Sequence, residues 1–61
     1  MMTPEEISIR AVAFARSIRA GRVTRERVEA NVQAWATMEN PLATSAEVRE
    51  ILKLVREQLT K

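Results

Sequence analysis

The chain contains no cysteine, no histidine, no tyrosine and no aspartate, and only one glycine and two prolines among its 61 residues. Each absence removes a class of explanation. Without cysteine there is no disulfide, and without cysteine or histidine no ordinary zinc site, so neither common staple of small domains is open to it. Most of the side chains that usually serve as nucleophile, general acid or general base are missing as well. Serine and threonine remain, but no lysine stands at a recognisable spacing to activate them. Glu5 and Glu6 are adjacent, so on a helix they point about 100° apart and complement the helix dipole rather than share a substrate. There is no glycine-rich phosphate loop and no carboxylate cluster suited to calcium or magnesium. The expectation is a protein that is not an enzyme and uses no cofactor and no metal. No apolar run approaches the roughly 20 residues of a membrane span, and Met1-Met2-Thr3 leads into a helix start without a signal-peptide layout. No membrane association and a cytoplasmic location are therefore expected.

What is present is helix-forming: much Ala, Arg, Glu, Val and Leu. The clearest stripe lies near the end of the chain. Val48, Ile51, Leu52, Val55 and Leu59 recur at intervals of three and four, which puts them on one side of a helix. Arg49, Lys53, Arg56 and Glu57 fall on the opposite side. Such a helix needs a partner surface, and the preceding residues offer two more helices.

Thr3-Pro4-Glu5-Glu6 is a helix start, with Thr3 as cap, Pro4 at the first helical position and Glu6 completing a capping box. Ile7, Ala11, Phe14 and Ile18 follow as an apolar stripe widened by Ala15, and Gly21 is the natural left-handed terminator. Thr24 is a suitable cap for a second helix, with Val23 packing on Val28 as a hydrophobic staple. Val28, Val32 and Trp35 share a face with Asn31 and Met38 at its margin, and Ala30, Ala34 and Ala36 are small enough for a close neighbour. Pro41 ends this helix by forcing Asn40 out of the α region. Leu42 is expected to fold back as a plug under the loop, beside Trp35. Thr44-Ser45-Ala46-Glu47 is a second capping box. The fold class is therefore all-α: a compact three-helix unit with helices at about 4–20, 25–39 and 45–60, forming one domain over 1–61.

A chain this short has little core to offset the entropy of ordering it. Ile9, Val12 and Leu54 fall outside the stripes that close a three-helix core, and they are the expected interface of a homo-oligomer, most simply a dimer. The other uneven feature is charge. Arg10, Arg16, Arg19, Arg22, Arg25 and Arg27 lie within eighteen residues opposed only by Glu26, so this stretch carries +5 in a chain whose total is +2. A solvated rim, with Arg10 pairing to Glu6 one turn back, is the plain reading. The functional reading takes Arg16, Arg19, Arg22, Arg25 and Arg27 as the surface that binds an acidic protein partner. An alternative is a helix-turn-helix-like DNA-binding regulator. Ser17 to Thr24 resembles such a corner, and the second helix would present Arg25, Arg27 and Gln33 to DNA. The turn is one residue longer than the usual pattern, and Glu26 and Glu29 beside the reading face would repel phosphates. The expected function is thus a small protein-protein interaction or regulatory module that self-associates. DNA binding stands second.

Overall fold

The computed structural model describes residues 1–60; Lys61, counted in the expected domain, lies outside the described residues. The architecture is all-helical, with α1 (Pro4–Arg19), α2 (Val28–Glu39) and α3 (Ser45–Leu59). Both expected capping boxes form. The Glu6 N–H donates to Thr3 Oγ1 at 3.1 Å and the Thr3 N–H to Glu6 Oε1 at 2.9 Å. At α3 the Glu47 N–H donates to Thr44 Oγ1 at 3.1 Å and the Thr44 N–H to Glu47 Oε1 at 2.8 Å. At the end of α1 the Arg22 N–H bonds the Ser17 carbonyl and the Gly21 N–H the Ile18 carbonyl, both at 3.0 Å. This is the paired closure of a Schellman motif, and it requires the left-handed φ of +78° that Gly21 adopts.

The core follows the stripes. Val32, Ile51 and Val55 are fully buried and Ala11, Val28 and Leu52 nearly so, with Ile7, Phe14, Ile18, Trp35, Val48 and Leu59 packed around them. Ala11 and Ala15 are each 1 % exposed, and this small-residue strip lets α3 lie close along α1, its most extensive neighbour. α2 packs chiefly on α3 and touches α1 little. The Cα trace is 14 Å deep along its shortest axis. That depth is about one interaxial spacing of 8–10 Å plus one Cα cylinder of about 4.6 Å. The molecule is two helices thick, so part of every helix faces solvent.

Four expectations are corrected. The second helix does not start at residue 25: Arg25–Arg27 form a 3-10 turn and α2 starts at Val28. Thr24 keeps the extended backbone of a cap, but its side chain makes no capping bond. Its carbonyl instead accepts the Arg27 N–H at 3.1 Å. Val23 and Val28 both turn toward the core, and the tighter i→i+3 closure spans the interval between them. Leu42 is not a plug; it is 78 % exposed. Asn40 to Ala43 form a turn closed by the Ala43 N–H on the Asn40 carbonyl at 2.9 Å. Leu42 is the third residue of that turn, at its tip, where a side chain points outward. Trp35 therefore packs without it, edge-on to Phe14 with centroids 6.2 Å apart and an interplanar angle of 79°. Of the three alanines expected at a close helix contact, only Ala36 is buried, and Ala30 and Ala34 are exposed.

Glu47 has a role beyond its own helix. Its Oε2 accepts the Met2 backbone N–H at 2.6 Å, so the carboxylate that caps α3 also holds the segment entering α1, and it is buried to 9 % exposure. The Thr44 N–H first, and then the Met2 N–H, pull its pKa below the ordinary 4.5, against partial desolvation. Glu6 is lowered too, mainly by the Thr3 N–H. A depressed folded-state pKa contributes stability that is present above the unfolded value and is lost as pH falls through the folded one. Thermal midpoints should therefore hold above about pH 5 and fall progressively as the pH drops below 4.5. In Glu6→Gln/Glu47→Gln the midpoint at neutral pH should be lower and the acid limb flatter. An acid limb as steep as that of wild type would show that other groups carry it.

Candidate functional site

The six arginines of the run differ in their surroundings. Arg10 turns onto Trp35, with its guanidinium carbon 4.7 Å from the ring centroid, while Glu6 is engaged at its cap. Arg16 is exposed on the outer side of α1, in a depression shared with Glu5, Ser8, Ile9, Val12 and Ala13. Arg19 donates from Nη2 to the Gln58 carbonyl. That carbonyl is among the last four of α3, which have no partner within the helix. The bond forms where the end of α3 lies beside the corner between α1 and α2.

Arg22, Arg25 and Arg27 are exposed in that corner. Arg25 lines a depression of about 380 Å³ with Val28, Val55, Arg56, Leu59 and Thr60. Its floor is apolar, since Val28 and Val55 belong to the core and Leu59 packs against it. Two arginines thus border a small apolar recess, one from the 3-10 turn and one from α3. Arg56 was expected only as a solvent-facing residue of the third helix. No sequence signal couples it to Arg25, because the two meet only once α3 has docked.

Because Arg25 and Arg27 precede α2, they sit before the helix that was expected to carry them. Gln33 does lie on α2, lining an open groove against α3 with Glu29, Thr37, Val48 and Arg49. Among the expected oligomer residues, Ile9 is 63 % exposed and Val12 partly exposed. Leu54 is partly buried against the core and lines a separate depression with Met2, Pro4, Ile7, Ser8 and Glu50. Among the described residues no three carboxylates are grouped so as to hold a metal ion, and no helix is long and apolar enough to cross a membrane.

The arrangement suits recognition of a side chain with an apolar body beside negative charge. Guanidinium groups bind carboxylates through paired donors, and an apolar floor beside them suits an aliphatic group. No family model, curated protein or solved structure matches this chain.

Proposed function

We propose that this protein is a small non-enzymatic interaction or regulatory module that self-associates and binds an acidic protein partner at its arginine corner. The observation that carries the reading is the apolar recess lined by both Arg25 and Arg56. An acidic peptide with an aliphatic side chain uses both features: carboxylates meet the guanidinium groups and the aliphatic group covers Val28, Val55 and Leu59. A phosphate backbone would use the charges and leave the apolar floor wet. Arg19, tied to α3, acts as a positioning residue, while Arg22 and Arg27 widen the positive field and speed encounter.

The test uses a labelled glutamate-rich peptide with a central leucine pair, its serine-substituted counterpart and a mixed-sequence DNA duplex. Arg25→Ala/Arg56→Ala should weaken the leucine peptide about tenfold or more, equivalent to about 1.4 kcal/mol. Replacing the leucines by serine should weaken binding to wild type comparably. Circular dichroism should show unchanged helicity, because both arginines are exposed. Equal binding of the two peptides would remove the recess from the mechanism. Duplex binding that persists at physiological salt and falls in Arg25→Ala/Arg27→Ala would replace this reading with the nucleic-acid one, for which each phosphate contact steepens the salt slope by about 0.9.

A further inference from the structure

The outer side of α1 carries a pattern that is complementary to itself. Ile9 is 63 % exposed, and with Val12 and Ala13 it forms an apolar strip in a depression bounded by Glu5 toward the start of the helix and Arg16 toward its end. Glu5 and Arg16 are eleven positions apart, about three turns, so they share one face. Ile9 and Val12 lie between them on the same side. The residue numbers of Glu5 and Arg16 add to 21, and so do those of Ile9 and Val12. A single two-fold axis passing level with the midpoint between positions 10 and 11 therefore relates both pairs.

We infer that the occupant of this face is a second copy of the chain, packed with its α1 antiparallel to the first. In that arrangement Glu5 of each copy meets Arg16 of the other, giving two ion pairs, and Ile9 of each copy packs against Val12 of the other. Ser8 and Ala13 flank the strip and are small enough to let the two helix axes approach. A parallel arrangement would set Glu5 against Glu5 and Arg16 against Arg16, so charge selects the direction. The residues facing inward from α1, Ala11 and Ala15, are already covered by the core, and a second copy would not disturb them. One helix pair over three turns is a small interface, below the roughly 1,200 Å² of standard complexes. The dimer should therefore be weak and dependent on concentration.

The inference rests on the self-association in the proposed function and adds its geometry. Sedimentation equilibrium over a concentration series tests both. Wild type should dimerise; Glu5→Arg and Arg16→Glu should each weaken the dimer about tenfold, because two attractive contacts become repulsive in each case. The combined Glu5→Arg/Arg16→Glu variant should restore it, which a parallel dimer would not require. Ile9→Ser should weaken association at least as much, with the helical signal kept because Ile9 is exposed. A dimer indifferent to the charge variants overturns this geometry and leaves self-association standing through another face. A chain that stays monomeric throughout overturns both.

Discussion

Ile51→Ala is expected to lower the free energy of unfolding by about 2–5 kcal/mol. Ile51 is fully buried at the centre of α3, beside Val55 and Val32, which are equally enclosed. Truncation removes the transfer energy of the lost methyl and methylene groups and leaves a cavity that α1 and α2 must collapse to fill. The total available is small, since stabilities near 0.05–0.15 kcal/mol per residue give roughly 3–9 kcal/mol for a domain of this size. The variant should be largely unfolded at modest urea concentrations, and Leu52→Ala should behave similarly. Lys53→Ala and Arg49→Ala, on the exposed side of the same helix, should stay within about 0.5 kcal/mol of wild type. Urea melts followed by circular dichroism check the contrast. A loss from Lys53→Ala equal to that from Ile51→Ala would mean that α3 presents another face to the core.

Trp35→Ala should cost about 2–3 kcal/mol, less than the 3–5 kcal/mol of a fully enclosed aromatic because the indole is only partly buried. Three losses combine: apolar area against the core, the edge-to-face contact with Phe14, and the Arg10 guanidinium on the ring. An edge-to-face pair contributes about 0.5–1.5 kcal/mol beyond its buried area and a solvent-accessible cation–π contact about 0.5–1 kcal/mol. A double-mutant cycle of Arg10→Ala with Trp35→Ala isolates the second, and its coupling should fall in that range. Because this is the chain's one tryptophan, Arg10→Ala should also shift its fluorescence. Zero coupling and an unchanged spectrum would return Arg10 to the solvated rim.

The local code was legible in the sequence wherever the physics is local. The capping boxes at Thr3 and Thr44 and the glycine terminator at Gly21 join groups a few residues apart, so a short window contains every partner. The buried face of α3 was legible because helical periodicity alone decides which side chains lie together. Thr24 and Leu42 depart from the local pattern for the opposite reason. The 3-10 turn reflects the placement of Val23 and Val28 in a shared core, and Leu42 points outward because it sits at the tip of the turn from Asn40 to Ala43 that joins two docked helices. Arg10, Arg19 and Arg56 show the same division in the candidate site. Composition revealed the excess of arginine, but only packing decided which arginine lies on an indole, which holds a carbonyl of α3, and which borders an apolar recess beside Arg25. Those partners are 25 or more positions apart in the chain, and no periodicity links them. They meet because α3 buries its stripe against α1 and α2 together, which carries its C-terminal end to the corner.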